Sequence, residues 1–370
     1  MIYLSLEMVS IMSFVLAGYK LSDRKSSEGA LKYVIYGGVA SGVMLYGMSW
    51  IYGLTGSLNL GEIREALAVM TGDGGKVPAA ALIGVICMIA GFGYKISAAP
   101  FHMWTPDVYE GAPTPITALL SVGPKAAGFA VMIRFFDDAL GASGSGMKLV
   151  QEGTSAPWPI LAGCLAMATM FVGNLTALNQ NNVKRMLAFS SIAHAGYMLL
   201  GFAVFTQEGI KAIVFYAVAY AFMNLGAFLV VMAVAEVNGG DESVGAFLGL
   251  GRRAPVLAIV MTVFLISLAG MTPFVGFVGK FYIFAALIGV GGTWFWLLAV
   301  VGVINSVISL FYYARVVQAM YLQDAEVAEP IDIRKTFATI SLLLALPVIV
   351  LGVYWAPVYD FVARSVAMVR

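Results

Sequence analysis

Long apolar runs separated by short polar stretches are the dominant pattern along this chain. None of the runs alternates apolar and polar residues, which excludes the strands of a membrane barrel. A helix crosses a bilayer with about 20 apolar residues and satisfies its own backbone hydrogen bonds there. The pattern therefore predicts an all-α polytopic membrane protein with about ten transmembrane helices. The ten runs are Ile2–Tyr19, Leu31–Leu54, Val77–Ser97, Pro115–Phe136, Trp158–Leu178, Met186–Phe205, Ile210–Ala235, Ala254–Val290, Trp294–Leu322 and Thr336–Tyr359.

Two of these regions carry residues that break helices. The run Ala254–Val290 is too long for one span and contains Gly270 and Pro273, whereas Val77–Ser97 is closely followed by Pro100. Broken helices at membrane depth are tolerated where they are buried in protein or line a wet cavity, and many transporters carry one in each half. We therefore expect two broken helices.

A weak internal similarity between the two breaks indicates an inverted repeat. Residues 96–101 (ISAAPF) align with residues 266–274 (ISLAGMTPF) if three residues are inserted. On this basis residues 1–136 are expected to be the remainder of a first antiporter-like repeat and residues 157–322 a second repeat. Residues 336–370 would then form a C-terminal transmembrane helix.

Composition excludes several other classes of protein. Apolar residues make up 61% of the chain and charged residues 11%, compared with about 45–50% and about 25% in soluble domains. The net charge of +1 provides no basic field for nucleic acid, so we expect no nucleic-acid partner. Cys87 and Cys164 lie inside apolar runs and indicate neither a disulfide framework nor a redox motif.

Once the lysines and arginines assigned to loops and run ends are set aside, four charged side chains remain inside apolar runs: Glu7, Lys95, Lys125 and Lys280. A charge at the centre of a bilayer costs about 2.5–3.5 kcal/mol on insertion scales. Such a residue usually faces the interior of the bundle and serves function. Two simpler interpretations stay open, since Lys95 could extend to the interface and Glu7 could be an ordinary terminal residue.

Buried amines and a buried carboxyl are suited to proton transfer, because burial brings their proton affinities closer together. His102, in a proline-rich stretch, and His194, within a run, are candidate relay imidazoles. A structural, hydrogen-bonded role is the alternative for both histidines. Two histidines distant in sequence are too few for a metal site, and we find no motif for a cofactor or a redox centre. We therefore expect no catalytic, metal or cofactor-binding residues in this chain.

Three stretches resemble one family. They are residues 94–115 (YKISAAPFHMWTPDVYEGAPTP), 182–197 (NVKRMLAFSSIAHAGY) and 273–282 (PFVGFVGKFY). The chain resembles subunit N of respiratory complex I, the proton-pumping NADH:quinone oxidoreductase, over essentially its whole length. Within the first stretch, WTPDVY is the wording that separates the N type from the sister L and M subunits and from multisubunit sodium/proton antiporters.

The resemblance implies a role for each of the four membrane charges. Glu7 matches the glutamate of the family's fifth helix, and Lys95 matches the lysine of the first broken helix that pairs with it. Lys125 matches the central lysine of the following helix. Lys280 matches the lysine of the second broken helix, near the exit side. Together they would form a proton path along the membrane midplane.

The resemblance also implies the function and the setting of the chain. It would be a proton-translocating subunit of an NADH:quinone oxidoreductase, coupled to quinone reduction elsewhere in the complex. NADH, flavin, iron–sulfur clusters and quinone would be bound by other subunits. The expected partners are other antiporter-like and small helical membrane subunits, the lipid bilayer and protons. The expected location is the bacterial plasma membrane (the cell inner membrane), crossed several times.

The chain departs from the family in two respects. It starts inside what corresponds to the fifth helix, so we expect a sequence truncated at the N-terminus that lacks the first four helices. Pro124 directly precedes Lys125 and leaves the carbonyl of Leu120 without its helical hydrogen bond. We expect a kink there that places Lys125 in a polar environment.

Two other functions stay open at this stage. The first is a subunit of a multisubunit cation/proton antiporter, coupled to an ion gradient instead of a redox enzyme. The second is a purely structural membrane subunit, in which the three buried lysines would carry no protons.

Overall fold

The computed structural model describes residues 1–71, 78–140, 158–324, 331 and 333–368. Three predicted segments begin or end outside this part of the chain. The run Val77–Ser97 begins there at Val77, the second repeat begins there at residue 157, and the C-terminal segment ends there at residues 369–370. Within it the backbone is helical, apart from loops, turns and one isolated bridge between Asn182 and Ser243.

Fifteen α-helices are numbered here in chain order. They are α1 (Ile2–Ala17), α2 (Arg24–Thr55), α3 (Leu60–Thr71), α4 (Ala79–Ile96), α5 (Trp104–Gly111), α6 (Thr114–Arg134), α7 (Trp158–Leu178), α8 (Val183–Ala203), α9 (Gln207–Val237), α10 (Leu250–Arg253), α11 (Pro255–Ala269), α12 (Val275–Val290), α13 (Thr293–Leu322), α14 (Lys335–Val353) and α15 (Ala356–Met368), all within the described residues. A π-helical turn, Phe135–Ala139, extends α6.

The predicted membrane class is confirmed. In the described part of the chain, eight helices are long and apolar enough to span a bilayer, counting α6 with its π-helical extension, and α1, α11 and α12 are shorter apolar helices. Two helices differ from the prediction. The amphipathic helix α3 was not expected, and the last predicted run divides at Tyr354 and Trp355 into α14 and α15.

Both predicted helix breaks are present. Helix α4 ends at Ile96, and Ser97 takes a left-handed conformation with φ of 63°. Helix α11 ends at Ala269, and Gly270 takes a similar conformation with φ of 87°. The chain then resumes as the short helix α5 after the first break and as the longer helix α12 after the second. The peptide bonds before Pro100 and Pro273 are cis.

Helix α8 forms the centre of the bundle. All of its residues except Arg185 are buried, and it packs against α5, α7, α9, α12 and α13. Its backbone approaches that of α7 closely, because a Cβ added at Gly173 would lie 2.6 Å from the backbone nitrogen of Ala193. Glycines permit such approach where van der Waals packing holds membrane helices together.

The outer helices present apolar side chains to the surroundings. Only 17% of the apolar window of α14 and 22% of that of α2 is buried. Without a membrane these faces would be unfavourable in water. The molecule is therefore a buried central helix surrounded by helices that face lipid or other membrane chains.

Candidate functional site

The three lysines singled out from the sequence are buried in the structure. Lys95 is 5% exposed, Lys125 is 1% exposed and Lys280 is 3% exposed. In the described part of the chain, none of the three forms an ion pair with a carboxylate. Each amine instead donates to hydroxyls and backbone carbonyls, which is the minimum that makes burial of an amine tolerable.

Lys125, on α6, is held by a single residue of the central helix. Its Nζ donates to the backbone oxygen of Ser191 at 3.0 Å and to the Ser191 Oγ at 2.5 Å. The ring of Tyr109 lies 5.7 Å from the same nitrogen. Helix α6 continues through Pro124. Lys125 is thus attached to the buried face of α8, one turn from His194.

Lys280, on α12, is held by the second helix break. Its Nζ donates to the backbone oxygens of Leu268 at 3.1 Å and Ala269 at 2.8 Å, and to the Ser306 Oγ at 3.0 Å. The two carbonyls end α11 and have no partner in their own helix, so they carry partial negative charge. The Tyr197 ring lies 4.4 Å from the amine and adds a cation–π contact.

Lys95 lies in the last turn of α4 and contacts α1. Its Nζ donates to the Leu6 backbone oxygen at 3.2 Å and to the Ser10 Oγ at 2.6 Å. Glu7 is half-buried on the same helix α1, and its carboxylate accepts a hydrogen bond from the Ser41 hydroxyl of α2. Glu7 and Lys95 therefore lie near each other without forming an ion pair in this structure.

His194 lies on α8 between Lys125 and Lys280 and is buried. Its Nδ1 shares a hydrogen bond with the Tyr216 hydroxyl at 2.6 Å, and its Nε2 shares one with the Tyr313 hydroxyl at 3.2 Å. Both ring nitrogens of His194 are thus hydrogen-bonded, and the partner hydroxyls of Tyr216 and Tyr313 can each donate or accept.

Tyrosines join the separate polar groups into one line. The Tyr220 hydroxyl donates to the Ser191 Oγ at 2.8 Å, and its ring centroid lies 5.0 Å from that of His194. On the other side of the histidine, the Tyr197 ring lies 5.8 Å from the imidazole and faces Lys280. Hydrogen bonds therefore join Lys125, Ser191 and Tyr220. Ring contacts extend the line through His194 and Tyr197 to Lys280.

His102 lies on the turn that follows the first break. It is half-buried, and its Nδ1 has no hydrogen-bond partner among the described residues. The structure shows no bond from it to any of the three lysines. Its role as a relay group stays a prediction.

Sequence reasoning missed tyrosines in the line and around His194. Tyr216, Tyr220 and Tyr313 lie within apolar runs, and each is 2% exposed or less. Their signal was their position, since a tyrosine far from both ends of a run cannot reach the membrane interface. Ser191 was not singled out either.

A second polar cluster, also missed, joins α5 to α8 at one end of the bundle. Arg185 donates to Asp107 at 2.9 Å and to Glu110 at 2.5 Å, while Lys32 pairs with Asp107 and Lys25 with Glu110. We call these five residues the α5 clasp. They attach the segment after the first break to the start of the central helix.

The carboxylates of the α5 clasp are stabilised in their ionised form by hydrogen bonds from lysine and arginine. Burial alone would raise the pKa of Asp107, but hydrogen bonds from Lys32 and Arg185 outweigh it and leave the pKa below 3.8, its ordinary value. Burial opposes in the same way at Glu110, where hydrogen bonds from Lys25 and Arg185 hold the pKa below the ordinary 4.5. Both groups are therefore ionised at neutral pH.

Fold and site together define an antiporter-like membrane subunit, with one lysine at each helix break and a third between them. Residues 1–309 match the family described as NADH:quinone oxidoreductase/Mrp antiporter, TM. The chain belongs to this family.

Two named relatives show which subunit type of this family the chain is most similar to in sequence. "NADH-quinone oxidoreductase subunit N 2" of Sorangium cellulosum is 65% identical over 370 residues, which cover 100% of this chain and 72% of the relative. "NADH-quinone oxidoreductase subunit N" of Anaeromyxobacter sp. is 48% identical over 381 residues, with 100% and 73% covered. Both names favour the complex I alternative over the cation/proton antiporter.

Solved structures confirm the architecture. A chain of respiratory complex I from Thermus thermophilus superposes with a TM-score of 0.77 at 30% identity, covering 97% of this chain and 74% of that one. A chain of the Mrp complex from Dietzia sp. DQ12-45-1b gives a TM-score of 0.84 at 20% identity, with 99% and 73% covered. The second comparison supports the fold alone.

Proposed function

We propose that this chain is a proton-translocating membrane subunit of an NADH:quinone oxidoreductase. The observation that carries the proposal is the polar line from Lys125 through His194 to Lys280, buried at the centre of a membrane bundle. Relatives named as subunit N of this enzyme support the assignment of the complex. The redox reaction, with NADH, flavin, iron–sulfur clusters and quinone, takes place in other subunits, and the membrane is the bacterial plasma membrane.

The proposed step is transfer of a proton between amines that lack carboxylate partners. A buried ammonium without a counter-ion is poorly stabilised, because burial penalises the charged form. A change in the charge of a neighbour can then move the proton to the next group. Hydroxyls of Ser191 and Tyr220 and the imidazole of His194 can each accept one proton and donate another. Water would bridge the steps from Tyr220 to His194 and from His194 to Lys280, where the described residues make ring contacts and no hydrogen bond.

The proposed input to this line is the pair Glu7 and Lys95. Quinone reduction elsewhere in the complex would shift this pair between a joined and a separated state. The state described here corresponds to separation, since Glu7 is bonded to Ser41 and Lys95 to Ser10. A Lys95 ammonium freed from Glu7 raises the electrostatic potential at Lys125 and favours transfer of its proton onward. His102, next to this segment, is proposed as an additional relay group.

Two alanine substitutions test the proposal in the assembled complex. Lys125→Ala and Lys280→Ala each remove an amine from the line, so we expect loss of proton pumping, measured by fluorescence quenching in proteoliposomes during NADH oxidation. Lys20→Ala, at an exposed loop lysine, is the control and retains pumping. Normal pumping in both buried-lysine variants would contradict the proposal and favour a purely structural subunit.

A further inference from the structure

A groove opens on the outer surface beside the second helix break. Its volume is about 410 Å³, and it lies between the end of α11 and the second half of α13. Its walls are almost entirely apolar. Its lining includes Met271, Tyr313, Ala314, Val317 and Tyr321.

The length of the groove matches one leaflet of a bilayer. From Leu310 to Leu322, both of which line it, α13 rises about 18 Å at 1.5 Å per residue. Half of a hydrocarbon core is about 15 Å. The deep end is at the level of the break, next to Met271, and the other end is at the end of α13. A single acyl chain therefore fits along it.

The shallow end of the groove carries a positive side chain. Arg252 follows Gly251, whose added Cβ would lie 2.6 Å from the Tyr321 ring, so Arg252 is next to the groove wall. Arg252 is paired with Asp324 at 2.7 Å, but both side chains are more than four-fifths exposed. Such an exposed pair is weak, so Arg252 is available to a phosphate at the membrane surface.

The deep end of the groove touches the polar line. Tyr313 lines the groove, and its hydroxyl contacts Ser190 at 2.5 Å and His194 at 3.2 Å on its other side. Tyr313 is only 1% exposed, so an occupant of the groove would contact this side chain without changing the access of water to the histidine.

We propose that this groove binds one acyl chain of a membrane phospholipid, whose phosphate lies near Arg252. The apolar walls, the one-leaflet length and the arginine at the shallow end all fit this occupant. A transmembrane helix of another subunit is the main competitor. Arg252 at the shallow end favours the phospholipid, because a phospholipid brings an anionic phosphate to the membrane surface.

Photolabelling in the assembled complex tests the proposal. The complex is reconstituted into nanodiscs of phosphatidylglycerol and phosphatidylcholine that contain phosphatidylglycerol with a mid-chain diazirine. We expect labelling of peptides that contain Met271 or residues 310–322. Arg252→Gln is expected to reduce that labelling about fivefold, equal to about 1 kcal/mol for one charge near an anionic surface. Arg24→Gln, at an exposed arginine on α2, serves as its control.

A second experiment fills the groove with a larger side chain. Ala314→Trp, or the milder Ala314→Leu, occupies the space of the chain and should abolish labelling at the groove. Val303→Trp is the matched control, because Val303 is 50% exposed on the same face of α13 but does not line the groove. Labelling that persists with a filled groove would overturn the proposal. Crosslinks from this site to another subunit, in place of lipid, would overturn it in favour of a partner helix.

Discussion

The buried amines are held by hydroxyls and by carbonyls that other elements leave free. At Lys280 the break in the helix supplies two carbonyls, so the same feature that interrupts α11 also stabilises the lysine. At Lys125 both hydrogen bonds that the described residues provide come from Ser191. The placement of Lys125 therefore depends on the side chain of Ser191. A substitution of Ser191 is the most specific way to perturb the line.

Ser191→Ala removes the hydroxyl that links Lys125 to Tyr220. A hydrogen bond to a charged group contributes about 1.5–3 kcal/mol. We therefore expect the pumping rate to fall about tenfold to a hundredfold, measured as the initial rate of acidification in proteoliposomes. Ser191→Thr keeps a hydroxyl and should restore most of the rate. Ser341→Ala, at a buried serine with no hydrogen-bond partner, is the control. An unchanged rate in Ser191→Ala would remove the serine from the line.

The α5 clasp has a defined dependence on pH. Asp107 and Glu110 have pKa values below 3.8 and 4.5, because their hydrogen bonds outweigh the effect of burial. Both groups hold fewer protons in the folded than in the unfolded state, so their contribution to stability is present above the ordinary pKa and is lost as the pH falls through the folded pKa.

Hydrogen exchange of the α5 amides measures this dependence. After correction for intrinsic rates, we expect protection to be constant between about pH 7 and about pH 5, and to fall only below about pH 4. Asp107→Asn should lower protection at neutral pH, whereas Glu62→Gln, at an exposed glutamate on α3, should not. A loss of protection already near pH 6 would show that other groups hold α5 in place.

At the scale of elements, the second break is built around a close backbone contact. A Cβ added at Gly276 in α12 would lie 1.8 Å from the Ser267 backbone oxygen of α11, and the Gly276 N–H donates to the Ser267 Oγ at 3.1 Å. The two halves of the broken helix therefore touch at a position where only glycine fits. The placement of Lys280 depends on this contact, because Lys280 is one turn further along α12.

Gly276→Ala is expected to destabilise the assembled complex. Overpacking a filled interior costs about 1–3 kcal/mol, and the added methyl would push α12 away from the carbonyls that hold Lys280. The melting temperature and the pumping rate should both fall. Gly289→Ala, in the same helix, meets no atom within 4 Å and should leave both unchanged. Equal behaviour of the two variants would exclude the contact as a determinant.

Most elements could be predicted from the sequence, because long apolar runs and breaker residues are local signals. Helix α3 escaped because Glu62, Arg64 and Glu65 interrupt its apolar positions, so it has the pattern of a surface helix. The division between α14 and α15 escaped because the run stays apolar across Trp355. Hydropathy alone therefore predicts neither helix α3 nor the division between α14 and α15.

The candidate site was only half predictable. A charge inside an apolar run stands out by its cost, which identified Lys95, Lys125, Lys280 and Glu7. The partners of those charges are serines, tyrosines and carbonyls that come from distant helices, such as Ser306 at Lys280. Their roles follow from packing, which no local pattern contains.

At the scale of the whole molecule, the proposed path places its groups in series. Protons that reach Lys280 along it would first pass Lys125, so one interruption would stop the flow as completely as two. The double variant Lys125→Ala/Lys280→Ala should therefore pump no worse than the more damaged single variant. The measurement is the same proteoliposome assay, with assembly checked for each variant. A double variant that pumps clearly less than either single variant would indicate two independent paths, which a single line excludes.

The burial of α8 on every side has a consequence for how this chain tolerates change. An outer helix such as α13 has a stripe of exposed positions, for example Val303 and Phe311, that can vary at little cost. From Val183 to Ala203 only Arg185 is not fully buried, so α8 has no such stripe. Substitutions there should show no helical periodicity in their effect, and evolutionary drift should be confined to the outer ring of helices.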